Sequence, residues 1–288
     1  MISVIITAFK EQKTIRKAVD AFLKQVGRKD EIIVTAPDKE TIDAAGKIKD
    51  KRIKIMKDEG KGKPAALNLA VSKAKGEILI LTDGDVYVSE TAVKDIILKF
   101  DEKTGAVSGR PVSVNDRKNK YGYWAYLLTE VAHNRRRKAL KMERRLFFSG
   151  YLFGIRKSLF PKLHEELLSE DGFVSHHVYV NRYKIDYADK AEVYVKYPDN
   201  FRDWIKQKKR SAGGYNQIKI ADRVEIRSFR KESSGFMELF KYVKSFKEFI
   251  WLIELFIARI YLWGVIYRDV NLKKKSREEI WKRVESTK

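Results

Sequence analysis

The sequence has no cysteine among its 288 residues, and it has only four histidines. Without thiols the chain forms neither disulfides nor metal sites of the cysteine type. A bound metal ion would therefore need oxygen or imidazole ligands, and the scarcity of histidine favours oxygen. The histidines show no metal-ligand spacing, and we expect them at the surface.

Acidic residues are also in deficit, since 39 Asp and Glu stand against 61 Lys and Arg, a formal net charge of +22. Such a surplus attracts polyanions, but it does not distinguish nucleic acid, anionic lipid and phosphorylated substrates. The apolar run near the N-terminus lacks the basic start of a signal peptide. We therefore expect a cytoplasmic protein, or one on the cytoplasmic face of a membrane.

Strand-like and helix-like segments alternate in the N-terminal part of the chain. Ile2–Thr7 is a continuous apolar strand candidate, and Glu11–Val26 carries apolar residues at helical spacing. The pattern continues with strands at 31–35, 52–56 and 77–82 and helices at 41–48 and 63–73. It predicts an α/β fold whose mainly parallel sheet is flanked by helices. Ligands bind beyond the carboxyl ends of such strands.

The sharpest chemical signal is Asp83-Gly84-Asp85, directly after an apolar strand. Two carboxylates at the ligand-binding edge of a sheet suit a hard divalent cation whose other ligands are phosphate oxygens. The alternative is an ordinary turn, because Asp and Gly are favoured turn residues.

Two further segments carry charged groups with two interpretations each. Glu170 and Asp171 either provide a general base or open a helix, where acidic residues suit the helix dipole. Lys63 follows a glycine and precedes Pro64, and it either contacts phosphates or belongs to a plain Gly-rich turn at a helix start.

These segments resemble the glycosyltransferases of family 2, which have the GT-A fold. Ser3–Glu11 is similar to that family's first strand and loop, and Lys61–Asn68 with Asp83–Asp85 is similar to the segment leading into its D-x-D motif. Glu170-Asp171 resembles the family's acidic pair, and Gln207–Arg210 resembles its Q-x-x-R-W motif. The resemblance implies an inverting glycosyltransferase that uses a nucleotide diphosphate sugar and Mn²⁺ or Mg²⁺.

The resemblance also implies a role for each matching residue. Asp171, beside Glu170, would be the catalytic base. Asp85, with Asp83, would bind the metal. The donor-binding residues would be Thr7, Ala8, Phe9, Glu11, Asp38, Lys63, Asp83, Gly84, Asp85, Gln207 and Arg210.

The chain departs from the family pattern at three positions. The second strand is followed by Ala36-Pro37-Asp38 rather than by an Asp pair, so that Asp38 would have to replace the residues that recognise the base. Ser211 stands in place of the motif's Trp, and Lys10 in place of a frequent Asn.

The segment Lys247–Tyr267 is dense in aromatic and aliphatic residues. Its charged residues are Lys247, Glu248, Glu254 and Arg259. They leave no uncharged run of the roughly 20 residues that a spanning helix needs. They fall on one half of a helical wheel, as in a helix that lies in the membrane interface. The alternatives are a helix packed on the catalytic domain or in a dimer interface.

We expect two domains, a catalytic domain over 1–222 and a helical membrane-associating or oligomerisation region over 223–288. The predicted partners are a UDP- or GDP-linked sugar, a lipid-linked or membrane-held acceptor and an anionic membrane surface. The protein would be peripheral or monotopic, and a homodimer through the C-terminal helices stays open. Nucleic acid is not an expected partner.

Two other functions compete with this prediction. A nucleotidyltransferase has a related architecture, but its Gly-rich loop after the first strand is missing. A basic nucleic-acid or lipid-binding protein without catalysis could stack bases on aromatic residues beside Arg135–Arg137. Those aromatic residues are Tyr121, Tyr123, Trp124 and Tyr126.

Overall fold

Four apolar segments form parallel strands in a computed structural model that describes residues 1–167, 169–210, 239–272, 284, 286 and 287. The strands are β1 (Ile2–Thr7), β2 (Glu31–Ala36), β3 (Ile53–Lys57) and β4 (Ile78–Asp83). They pair in parallel in the order β3-β2-β1-β4. The central residues of β1, β2 and β4 are fully buried, as in a sheet covered on both faces, whereas β3 at the edge is only half-buried.

Helices follow these strands and cover the sheet. They are α1 (Ile15–Leu23), α2 (Lys39–Gly46) and α3 (Lys63–Lys73). The bounds of α3 are those that the sequence predicts, because Gly62 is its N-cap and Pro64 lies in its first turn. Along α1 the buried residues are Ile15, Ala18, Val19 and Phe22, which form one apolar face.

The rest of the sheet is mixed. It contains β5 (Tyr87–Val88), β6 (Thr104–Ser113), β7 (Leu152–Arg156) and β8 (Lys184–Val195), so that the full order is β3-β2-β1-β4-β7-β6-β8-β5. β7 is antiparallel to both β4 and β6, and β5 is antiparallel to β8. The predicted fold class is confirmed, with the parallel arrangement limited to β1–β4.

Two further helices accompany these strands, α4 (Ala92–Ile97) and α6 (Glu170–Val180). Between them in the chain lies the long helix α5 (Lys120–Lys141). α6 starts at Glu170, so that the acidic pair Glu170-Asp171 lies within the first helical turn. β8 is one continuous strand of 12 residues.

The chain divides into two compact units. The first contains Met1–Val112, His133–Glu166 and Glu170–Val195, and the second contains Ser113–Ala132, Leu167–Ser169 and Lys196–Lys288. The second unit thus includes segments that precede residue 222. The predicted boundary between residues 222 and 223 lies outside the described residues, and it stays a prediction.

The second unit is built from helices around an aromatic cluster. Residues 201–210 are helical (α7), and α8 spans Phe246–Ile266. The Trp124 ring of α5 meets the Trp204 ring edge to face, with centroids 5.3 Å apart, and its Nε1–H donates to the carbonyl oxygen of Trp251 at 2.7 Å. These contacts bury the aromatic residues at the start of α5 in a hydrophobic core.

Helix α8 has two apolar faces with different surroundings. Its buried residues are Leu252, Leu255, Ala258, Leu262 and Ile266. The other face is exposed, with exposed fractions of 44% for Ile250, 37% for Ile253, 60% for Ile257 and 47% for Ile260. Phe246–Asp269 is the one helix of the described chain that is long and apolar enough to cross a membrane, judged by length and composition alone.

Two histidines contradict the expectation of surface positions, which is wrong for His133 and His176. Both are buried, and Nδ1 of His133 lies 2.8 Å from the hydroxyl of Tyr187. A buried imidazole is tolerated when it has a hydrogen-bond partner, and the hydroxyl of Tyr187 supplies one to His133.

Candidate functional site

The loop after β1 lies directly against the Asp-Gly-Asp turn after β4. The N–H of Gly84 donates to the carbonyl oxygen of Thr7 at 2.9 Å. A Cβ at position 84 would lie 2.3 Å from Oε2 of Glu11 and 2.8 Å from Cβ of Ala8. Only glycine permits this approach, so that four of the predicted donor-binding residues meet at one edge of the sheet.

Lys63 joins three segments of the site that are far apart in the sequence. Its ammonium lies 2.7 Å from Oδ1 of Asp83 and 2.8 Å from Oε1 of Glu170. The exposed fractions of the three side chains are 26%, 22% and 15%. The first turn of α3 is thereby connected to the end of β4 and to the start of α6.

These three groups perturb one another electrostatically. Burial raises the pKa of Asp83, and the charges of Asp85 and Glu170 act in the same direction, against the opposing effect of Lys63. Burial alone would lower the pKa of Lys63, but the charges of Asp83 and Glu170 outweigh it and raise that pKa above its usual value. Lys63 therefore stays charged, whereas Asp83 pays a desolvation penalty when ionised.

Asp171 is held by backbone N–H groups at the start of α6. Its Oδ2 accepts from the N–H of Gly150 at 3.3 Å, and its Oδ1 accepts from the N–H of Gly172 at 2.9 Å. A Cβ at position 150 would lie 3.3 Å from Oδ2 of Asp171 and 3.4 Å from its Cγ, so that glycine keeps room for the carboxylate. Asp171 does open a helix, and it lies beside Glu170 in the site, so both interpretations of the acidic pair remain compatible.

Asp83 and Asp85 offer the oxygen ligands that Mg²⁺ and Mn²⁺ prefer. Burial is the main cause of the raised pKa of Asp83, and the nearby carboxylates Asp85 and Glu170 act in the same direction. The described residues contain no group of three or more His, Cys, Asp or Glu that could hold a metal ion. Two carboxylates would leave the other coordination positions of Mg²⁺ or Mn²⁺ to phosphate oxygens or water, and the metal stays a prediction.

Asp38 performs a structural task at the end of β2. Its Oδ1 caps α2 by accepting from the N–H of Thr41 at 3.0 Å, and its Oδ2 accepts from the N–H of Lys10 at 2.8 Å. Although burial opposes the effect, these hydrogen bonds lower the pKa of Asp38. A nucleotide base would have to compete with them, so that the role of Asp38 in base recognition stays a prediction.

Asp58, which the sequence analysis missed, lies one residue beyond β3 at the same edge. Its Oδ1 accepts from the N–H of Gly60 at 2.8 Å, while its buried Oδ2 has no hydrogen-bond partner in the described part of the chain. Burial raises the pKa of Asp58. Its position after a parallel strand is the signal that could have identified it.

The remaining predicted site residues are less closely tied to this cluster. Phe9 is 38% exposed, and the ammonium of Lys10 lies 5.5 Å from the centre of its ring. Gln207 and Arg210 lie three positions apart on α7, in the second unit, and so on the same side of that helix. Their roles in donor binding stay predictions.

The sheet, with carboxylates and a lysine at the carboxyl ends of its parallel strands, has the architecture of the GT-A fold. Residues 3–163, more than half of the chain, match the family model described as "Glycosyl transferase family 2". The chain therefore belongs to glycosyl transferase family 2. The predicted family is confirmed.

Curated relatives agree with this assignment. The chain is 27% identical over 236 residues to the probable glycosyltransferase YdaM of Bacillus subtilis (strain 168), covering 75% of this chain and 56% of that protein. It is 24% identical over 275 residues to a poly-beta-1,6-N-acetyl-D-glucosamine synthase of Staphylococcus aureus (strain COL), covering 91% and 64%. The chain thus spans between about half and two thirds of the length of these relatives.

Solved structures share the fold. S. aureus TarS 1-349 matches with a TM-score of 0.52 at 21% identity, covering 78% of this chain and 66% of that one. TarS 1-349 in complex with UDP-GlcNAc matches with a TM-score of 0.51 at 21% identity, covering 72% and 64%. At this level of identity the likeness establishes the fold alone.

Proposed function

We propose that this protein transfers a hexose or N-acetylhexosamine from a nucleotide diphosphate sugar to an acceptor, with inversion of the anomeric centre. The observation that carries the proposal is the pair of ion pairs from Lys63 to Asp83 and Glu170, which unites three predicted motifs. The names of similar proteins support the donor class, because TarS was solved with UDP-GlcNAc and a second relative is an N-acetylglucosamine polymer synthase.

Asp171 is the proposed general base. Its carboxylate would take the proton of an acceptor hydroxyl as the hydroxyl oxygen bonds to the anomeric carbon. The bond between that carbon and the diphosphate oxygen then breaks, and the nucleoside diphosphate leaves with the bonding electrons. Hydrogen bonds from the N–H groups of Gly150 and Gly172 orient the carboxylate of Asp171. A fixed orientation favours proton transfer from an acceptor hydroxyl that lies in line with it.

Asp85, together with Asp83, would hold Mn²⁺ or Mg²⁺ beside the diphosphate. A cation bound there would neutralise the negative charge that develops on the leaving diphosphate. Lys63 adds a protein-borne positive charge at the first turn of α3, and Thr7, Ala8 and Glu11 form the wall on which the nucleoside would lie.

The donor site is tested by thermal unfolding of the protein with UDP, GDP and their sugars, with and without Mn²⁺. A ligand present at about 100 times its dissociation constant stabilises the folded state by about 2.7 kcal/mol. We expect one nucleotide to stabilise only when Mn²⁺ is present, and Asp85→Ala to abolish that dependence. Asp43→Ala removes an exposed carboxylate of α2 and is the matched control. An unchanged metal dependence in Asp85→Ala would refute the proposal.

The acceptor is proposed to be lipid-linked or otherwise held at an anionic membrane surface, at the cytoplasmic face. The support comes from α8, whose exposed face presents Ile250, Ile253, Ile257 and Ile260. Lys247, at the start of this helix, lies over the ring of Trp251 at 4.9 Å, an arrangement suited to headgroup depth. The net charge of +22 adds attraction to anionic lipid.

Cosedimentation with phosphatidylcholine vesicles, with and without phosphatidylglycerol, tests this surface. Ile253→Ser combined with Ile257→Ser should weaken binding by roughly tenfold or more, because two apolar side chains are lost. Leu98→Ser combined with Val180→Ser alters two apolar residues outside α8 that are at least as exposed, and it is the control. Equal binding of both double variants would refute the surface, and dimer dissociation in the α8 variant would assign it to a second copy of the chain.

The competing functions have less structural support. Tyr123 and Trp124 are buried in the core of the second unit, so that they offer no stacking platform for nucleic-acid bases. A purely electrostatic binder of nucleic acid would lose affinity for generic DNA steeply with salt and show no dependence on Mn²⁺ and UDP. A nucleotidyltransferase would release pyrophosphate from a nucleoside triphosphate, which a direct assay detects.

A further inference from the structure

Lys63 occupies a position that the backbone prepares for it. It is the first residue of α3, and its N-cap Gly62 has φ 97°, a conformation that favours glycine. Pro64 follows and fixes the helical start. The backbone of Lys63 is therefore fixed at the start of α3, and from there its ammonium contacts both Asp83 and Glu170.

In the proposed enzyme the carboxylate of Asp83 has two positively charged partners, the Lys63 ammonium and the divalent metal. Oδ1 of Asp83 already accepts the Lys63 ammonium at 2.7 Å, and the hydroxyl of Thr7 donates to the same atom at 3.4 Å. A divalent cation that uses Asp83 would approach the fixed ammonium closely. Two like charges at such a distance repel strongly when they are partly buried.

We infer that Lys63 is a positioning residue which acts as the counter-ion of Asp83 and Glu170 in the donor-free protein and competes there with the divalent metal. The inference rests on the proposed function, in which the donor brings a diphosphate to this site. The diphosphate offers Lys63 new acceptors, so that the ammonium leaves Asp83 as metal and donor bind. Metal and nucleotide then bind cooperatively, and Glu170, next to the proposed base, loses its Lys63 contact in the same step.

Because the Lys63 ammonium and the metal compete for Asp83, the binding of metal and the binding of nucleotide depend on each other. Thermodynamic linkage requires the effect to be reciprocal: the nucleotide raises metal affinity by the same factor by which the metal raises nucleotide affinity. A substitution that neutralises Lys63 should reduce this factor.

The test is a direct titration of Mn²⁺ binding without nucleotide, followed by the paramagnetic resonance signal of free Mn²⁺. We expect Lys63→Met to bind Mn²⁺ at least roughly tenfold more tightly than the unaltered protein, because a nearby positive charge is gone. Lys63→Arg retains the positive charge, and its affinity for Mn²⁺ should equal that of the unaltered protein. Lys73→Met removes one positive charge from the other end of α3 and should change the affinity little.

Equal or weaker Mn²⁺ binding in Lys63→Met would overturn the inference, and so would the absence of binding in both proteins. An equal gain in Lys73→Met would also overturn it, because the effect would then be a general one of net charge. Repeating the titration with UDP separates this inference from the proposed function. If UDP fails to bind any variant, the donor assignment fails, whereas tighter Mn²⁺ binding in Lys63→Met still supports competition at Asp83.

Discussion

The two units of the chain differ in which apolar and charged residues they bury and which they expose. In the first unit the central residues of β1, β2 and β4 are fully buried, and partly buried charges lie in pairs at one edge, with Lys63 between Asp83 and Glu170. In the second unit α8 buries one apolar face and exposes another. The charged edge suits a small anionic ligand, and the exposed apolar face suits a lipid surface or another protein surface.

The largest effect is expected at the proposed base. Asp171→Asn keeps the size of the side chain but cannot accept a proton, so that turnover should fall by roughly 10²–10⁴-fold while UDP affinity is retained. Steady-state rates and UDP titration measure the two quantities. Asp43→Asn, on the exposed side of α2, is the matched control.

The outcome also identifies the acceptor class. A hydroxyl acceptor needs the base, whereas the oxyanion of a polyprenyl phosphate is already nucleophilic. Full activity of Asp171→Asn on a hydroxyl acceptor would contradict the assigned role and weaken the contrast between the units.

The next largest effect separates the two faces of α8. Leu255 is 1% exposed and Ile257 is 60% exposed, although they lie two residues apart. Leu255→Ala should lower the free energy of unfolding by about 2–5 kcal/mol, because it leaves a cavity in the aromatic cluster. Ile257→Ala should change it by less than about 0.5 kcal/mol. Urea denaturation compares the two variants, and equal losses would mean that both faces of α8 are covered.

Local patterns were sufficient to predict the parallel half of the sheet and helix α3. Long apolar runs allow few alternatives to buried parallel strands, and a glycine followed by proline limits where a helix begins. Short elements were missed: β5 has two residues and α4 has six, too few for a periodic pattern. Glu170 and Asp171 do open α6, which is one of the two interpretations that the sequence left open for them.

The sequence was sufficient to identify most residues of the candidate site, but it did not show which of them are in contact. Lys63, Asp83 and Glu170 each lie in a recognisable motif, but only the fold brings the first turn of α3 beside the start of α6. Gly150 carried no signal of its own, since its importance comes from the 3.3 Å that separates its N–H nitrogen from Asp171. Such contacts depend on tertiary packing, and the sequence pattern does not contain them.

A smaller effect is expected at Gly84, which lies where the first unit is tightest. The added methyl group of Gly84→Ala would meet Glu11 and Ala8, so that stability should fall by about 1–3 kcal/mol and UDP affinity with it. Gly46→Ala is the control, because a Cβ there meets only Ile55 at 3.9 Å. Thermal unfolding with and without UDP measures both losses. Unaltered UDP affinity in Gly84→Ala would show that the loop after β1 does not shape the donor site.

The smallest effect is expected at Gly264, on the exposed side of α8. Apart from its two chain neighbours and the backbone of its own helix, no atom of the described chain lies within 4 Å of a Cβ built there. Gly264→Ala should therefore raise the free energy of unfolding by about 1 kcal/mol through helix propensity. A loss of stability in urea denaturation would contradict the open surroundings of this residue. Vesicle binding distinguishes two uses of the face, because a lipid surface tolerates an added methyl group, whereas a helix packed closely across Gly264 would be displaced by it.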